Sequence, residues 1–218
     1  MVAQDRIQSA RPQNTVRETA RKPPFKEREM DRQKVERAVA LLLEGMGEDL
    51  SREGLADTPS RVAEMYDEIL SGMDRDPAEP LAIYTTRNQD EMIMVKDIPF
   101  YSLCEHHLLP FFGKVHVAYI PQDDRITGFS SLVRVVEAHA KRLQLQERLT
   151  TDIADTLLKV LKPKGVLVVI EAEQMCLTMR GVKKPGTLTL TSAVRGIMRQ
   201  EASRAEAFSM IMGHSHNS

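Results

Sequence analysis

An α+β fold with an antiparallel sheet is predicted by three observations. Segments with helical spacing of apolar residues lie near the N-terminus, between about 130 and 161, and at the C-terminus. Strand-like runs fall between them at 92–98, 113–120, 166–170 and 187–194. The resulting order, helices, two strands, two helices and then two or three strands, is that of an α+β chain. With 218 residues, 42% of them hydrophobic, the chain is long enough to bury a sizeable core.

Residues 1–28 are polar, hold three prolines and carry seven Lys/Arg against three acids, so they read as a solvated basic tail. Residues 29–90 are expected to form an N-terminal helical part, and 91–213 the main domain. Val35, Val39, Leu42, Leu43 and Met46 share one helix face that ends near Gly45 and Gly47. Asp57-Thr58-Pro59 starts a second helix, with Val62, Met65, Tyr66, Ile69 and Leu70 on its apolar face and Gly72 closing it. The stretch Asp74–Asp90, with Pro77 and Pro80, reads as loop.

Met92–Ile98 and Gly113–Ile120 have strand character. Ser130–Leu143 and Glu147–Leu161 are then expected to be helices, the first turning Leu132, Val135, Val136 and Ala140 inward and the second Leu149, Ile153, Leu157 and Val160. Val166–Ile170 is an apolar strand, with Met175–Arg180 as its expected hairpin partner. Thr187–Val194 is a Thr-rich strand, and Ile197–Met212 a final helix.

A net charge of −1 argues against nucleic acid as partner of the whole chain. The absence of a long apolar run or a secretory leader gives the expectation of a cytoplasmic protein without a membrane span. In that setting Cys104 and Cys176 point to metal binding or simple burial rather than a disulfide.

The segment richest in chemistry is Phe100–Gly113, where Cys104-Glu105-His106-His107 places a thiol, a carboxylate and two imidazoles in consecutive positions. Its apolar flanks predict a largely buried setting, in which such groups need partners or a metal. Cys104 and His107, three residues apart on a turn, can share an ion. Adding Cys176, expected on a strand, gives three zinc donors and one open position. On spacing alone this is a modest signal, since a lone C-x-x-H with a distant Cys is more often coincidence and the thiols simply buried. His116 and His139 read as structural. His214 and His216 lie in a polar tail, and Glu105 reads as a hydrogen-bond acceptor.

Three stretches, Phe100–His116, Arg142–Thr150 and Met175–Gly181, resemble the GTP cyclohydrolase I family in order and spacing, and the likeness runs from about Asp31 to Phe208. The resemblance implies a T-fold subunit in a toroidal homodecamer with active sites between subunits. It implies conversion of GTP and water to 7,8-dihydroneopterin triphosphate and formate. It implies Zn2+ held by Cys104, His107 and Cys176, His106 as the acid that protonates the imidazole ring of guanine, and Glu147 as the carboxylate that holds the base. It further implies that Ser130, Arg134 and Arg180 grip the triphosphate and that Gln146 lies near the ribose. Without the resemblance, Arg134 and Glu147 would read as solvated helix residues.

This chain departs from the family pattern at three places. Gln174 stands where the family usually has a histidine thought to assist hydrolysis, and glutamine cannot shuttle a proton near neutral pH. Ser131 stands where a lysine is usual, which removes a cation facing the triphosphate. The loop Lys183-Lys-Pro-Gly186 replaces a polar stretch and offers Lys183 or Lys184 as substitute charges. These departures leave two further readings open: a divergent paralogue that stops at a formamidopyrimidine intermediate or uses another purine nucleotide, and an inactive regulatory or structural paralogue.

Overall fold

In the computed structural model, residues 30–87 and 89–213 are described; the basic tail and His214 and His216 lie outside them. Two helices come first, α1 (Arg32–Gly45) and α2 (Thr58–Ile69). Asp31 caps α1 by accepting a hydrogen bond from the Lys34 N–H. Pro59 sits in the first turn of α2, but Asp57 makes no side-chain cap and pairs with Arg61 instead.

The apolar stripe of α1 is only partly covered. Val35, Val39 and Leu43 are half-buried, whereas Leu42 and Met46 are 57% and 66% exposed. The physical reason is that α2 is the main element packed against α1.

The stretch expected to be loop contains a short strand, β1 (Ile83–Thr85), which pairs with β4 (Arg125–Thr127) beyond the Asp123–Asp124 turn. Three residues are too few for a periodic pattern, so only the pairing reveals them. The main sheet is built from β2 (Ile93–Cys104), β3 (Pro110–Ile120), β5 (Leu143–Gln144), β6 (Gly165–Gln174) and β7 (Leu188–Gly196). Its order is β5-β2-β3-β6-β7, antiparallel throughout except that the two-residue β5 runs parallel to β2. The α+β class and the antiparallel sheet are as expected.

Helices α3 (Phe129–Ala140) and α4 (Gln146–Leu161) pack side by side on one face of the sheet. Leu132, Val135, Val136, Leu149, Ile153 and Leu157 join Val115, Val117, Val166, Val168 and Ile170 in that core. A 3-10 turn (Ile197–Arg199) and α6 (Glu201–Met212) follow β7 and cover the other face over Ala118, Leu167 and Val169. Alternate residues of β6 therefore enter two different cores, which explains why 166–170 is apolar without a break. No helix among the described residues is long and apolar enough to cross a membrane.

The expected hairpin partner of β6 is a correction. Met175–Thr178 is a single helical turn, α5, and the strand that returns against β6 is β7, with Glu173 opposite Leu188. Met175, Leu177 and Met179 alternate in sequence as a strand would, and four residues cannot show a helical period.

Two histidines are built into the framework. His116 accepts the Asp97 N–H at a bulge where Asp97 takes φ 58°. His139 is bonded through Nε2 to Thr156 Oγ1 at 2.9 Å, and burial, with the nearby Arg142 charge, holds its pKa at about 3. That value lies below the ordinary ~6.5, so the unfolded chain binds the proton first as pH falls. His139 stabilisation is thus complete above about pH 6.5 and declines between there and about pH 3. At pH 5 the loss is expected to be roughly 2 kcal/mol. Urea unfolding at pH 7 and pH 5 should show it, and His139→Gln should flatten the difference; an equal slope in the variant would refute the assignment.

Candidate metal centre and its surroundings

Cys104 ends β2, and the chain turns at once: the N–H groups of His107 and Leu108 both donate to the Cys104 carbonyl. The turn carries Cys104 and His107 on one side, with Cys104 Sγ 4.0 Å from His107 Nδ1. Cys176 arrives from α5, immediately after β6. Ligand atoms of Cys104, His107 and Cys176 all lie within 4.8 Å of one another. Atoms so placed can reach one zinc ion at the usual ~2.3 Å for sulfur and ~2.0–2.1 Å for nitrogen. Both cysteines are free thiols. Burial and the neighbouring Cys104 push the Cys176 thiol up, so an ion that holds the thiolate would offset an unfavourable charge.

The tetrad is not buried as a unit. Cys104 is buried, but Glu105, His106 and His107 are exposed on the turn. The apolar flanks belong to β2 and β3, which run into the core, while the turn between them projects from the sheet end. His106 stands edge-on to His107, with ring centroids 6.1 Å apart. Glu105, read from sequence as a hydrogen-bond acceptor, pairs with Arg148 of α4 at 2.6 Å and raises that guanidinium's pKa.

Arg180 lies at the same place. Its Nη1 donates to His107 Nε2 at 2.9 Å, which leaves Nδ1 as the ring nitrogen nearest Cys104. Lys183 and Lys184 are exposed in the turn that follows. Glu147 is exposed in the first turn of α4. The three remaining phosphate candidates sit elsewhere, at the start of α3. Ser130 and Arg134 are exposed and Ser131 is buried. Arg134 lines a cavity of about 400 Å³ with Arg75, Glu79, Glu137 and Lys141. None of the three metal-site residues lines that cavity.

Gln146 and Gln174 are brought together, which their distance in sequence did not suggest. Gln174 Nε2 donates to Gln146 Oε1 at 2.7 Å. Gln146 is buried and also bonds β6 and β7: its Nε2 donates to the carbonyls of Ile170 (3.1 Å) and Thr189 (2.9 Å), and Oε1 accepts from Thr189 Oγ1 (2.6 Å). Thr189 is the residue that sequence reading missed. The Thr-rich strand was visible, but nothing local says which helix it faces.

A mixed α+β chain whose sheet end gathers two cysteines and a histidine has a donor set able to hold a metal ion. The family model for GTP cyclohydrolase I matches residues 35–212. The GTP cyclohydrolase 1 of Carboxydothermus hydrogenoformans is 61% identical over 186 residues, covering 85% of this chain and 96% of that protein. The GTP cyclohydrolase 1 of Pelotomaculum thermopropionicum is 62% identical over 184 residues (84% and 98%), and that of Bacillus subtilis 54% over 185 residues (84% and 97%). The chain belongs to the GTP cyclohydrolase I family.

Proposed function

We propose that this chain opens the guanine imidazole ring of GTP by hydrolysis and gives 7,8-dihydroneopterin triphosphate and formate. The observation that carries the reading is the convergence of Cys104, His107 and Cys176 within 4.8 Å in a member of this family. These three residues would hold a zinc ion, which when bound would lower the pKa of a water for attack on the purine C8. His106, on the exposed turn beside His107, delivers a proton to the imidazole-ring nitrogen of the base. Glu147 accepts the N–H groups of guanine.

Arg180 binds a phosphate from the metal side, and Ser130, Ser131 and Arg134 bind the triphosphate from α3, where Arg supplies a planar fork of donors. The α3 group stands apart from the metal cluster within one chain, which supports a cleft completed by a second copy in a homo-oligomer, a decamer as the family resemblance implies. Exposed Leu188 and Leu190 on the edge strand β7, and Leu42 and Met46 on α1, provide apolar surface for such an assembly.

Gln174 favours one second reading, in which the reaction stops after ring opening. Both readings are tested by incubating zinc-loaded protein with GTP and following formate and, after oxidation, pterin fluorescence. Formate and pterin in step are expected. Ring opening without formate would establish the second reading, and GTP left intact would reject both.

Gln174→His is expected to raise formate release a few-fold. An imidazole can keep one N–H on Gln146 Oε1 and adds a group that titrates near neutral pH. An unchanged rate would show that position 174 does not limit the reaction.

A further inference from the structure

Gln146 has no freedom in how its amide is oriented. Its Nε2 lies 3.1 Å from Ile170 O and 2.9 Å from Thr189 O, and two carbonyls can only accept. The Oε1 atom therefore faces Thr189 Oγ1 at 2.6 Å and Gln174 Nε2 at 2.7 Å, and both of these must donate. The hydroxyl of Thr189 also lies 3.0 Å from Ala172 O, which competes for its single hydrogen, and the contact to Gln146 Oε1 is the shorter of the two. This polarity passes to Gln174, one N–H of which is given to Gln146. Its own Oε1 accepts no hydrogen bond among the described residues and is not sealed from solvent.

The location gives that oxygen its meaning. Gln174 is the N-cap residue of α5, two positions before Cys176, and it pairs across the sheet with Phe111 of β3. Gln146 lies two positions after Gln144, which pairs with Cys104. The buried amide thus bonds β6 and β7 directly and follows closely on the strand that pairs with β2 at Cys104.

We propose that Thr189 is a positioning residue that acts through Gln146 to fix Gln174 as a hydrogen-bond acceptor for an N–H or O–H of the reacting base beside the Cys104–His107–Cys176 cluster. This rests on the functional reading above. A glutamine with free rotation would present NH2 or C=O equally well; here one N–H is held on Gln146, which fixes the amide plane and with it the place of the C=O oxygen.

The test is Thr189→Val, which removes the hydroxyl and keeps the shape, assayed as zinc-loaded full-length protein with GTP. The expected result is a kcat lowered roughly tenfold with KM changed less than about twofold, the order expected for one lost hydrogen-bonded contact. Zinc content and the urea midpoint should stay at wild-type values, and Thr189→Ser should recover kcat. Thr189→Ala offers the same readout if the valine variant does not fold. In a Gln174→Met background Thr189→Val should cost nothing further, because the group it positions is gone. Wild-type kcat in Thr189→Val, or the same tenfold loss in the Gln174→Met background, would overturn the proposal while leaving the functional reading intact. A wild-type protein that leaves GTP untouched would reject that reading and this inference with it.

Discussion

Cys176→Ser is expected to lose most of its zinc and to lower kcat/KM for GTP by about a thousandfold or more, since activation of the bound water disappears with the ion. Few donors are available to hold an ion at this site. Three donors within 4.8 Å are present, and two of them, Cys104 and His107, come from one turn. Cys176 is the one of the three donors that comes from the β6–α5 side. A serine hydroxyl is a poor zinc ligand at neutral pH, and the remaining pair would hold the ion with two bonds. The variant should still fold, because Cys176 is half-buried on a four-residue helix at the rim of the core rather than within it. Zinc per subunit after dialysis and initial rates with GTP check the outcome together. Zinc content at the wild-type level would show that Cys176 is not a ligand.

Much of the scaffold behind this site is legible in the sequence, because it depends on local periodicity. Leu132, Val135 and Val136, then Leu149, Ile153 and Leu157, show their inward faces at helical spacing and are buried on them. Contacts that depend on long-range pairing are not legible. Gln146 and Thr189 are 43 residues apart and meet only because α4 lies against β7. The exposure of His106 and His107 escaped for a related reason. Apolar neighbours in sequence predict burial only if the chain continues straight, and here it reverses at Cys104. The family resemblance named Cys104, His107 and Cys176 as candidate ligands; the turn and α5 show how the sheet end gathers them.

Gly113→Ala should test how tightly the sheet sets that geometry. Gly113 of β3 pairs with Ala172 of β6, and a methyl group on it would lie 1.9 Å from Glu171 O and 2.8 Å from Ala172 Cα. These are backbone atoms of a central strand and cannot rotate away, so β3 and β6 must separate locally. We expect a loss of about 2–4 kcal/mol in stability, at or above the usual range for overpacking. The functional consequence should be at least as large. The β2–β3 turn carries Cys104 and His107, while the end of β6 leads through Gln174 to Cys176, so a shift between the strands moves the ligands apart. Zinc retention against a chelator should fall more than about tenfold, because zinc–ligand distances in protein sites generally hold to within ~0.2 Å. Gly54→Ala is the matched control: nothing lies within 4 Å of its added methyl, and stability and zinc affinity should be unchanged. Urea midpoints and chelator competition on the two variants decide the matter. If Gly113→Ala behaves like Gly54→Ala, the sheet has enough slack to absorb a methyl group, and the metal geometry must be set by the turn and α5 themselves.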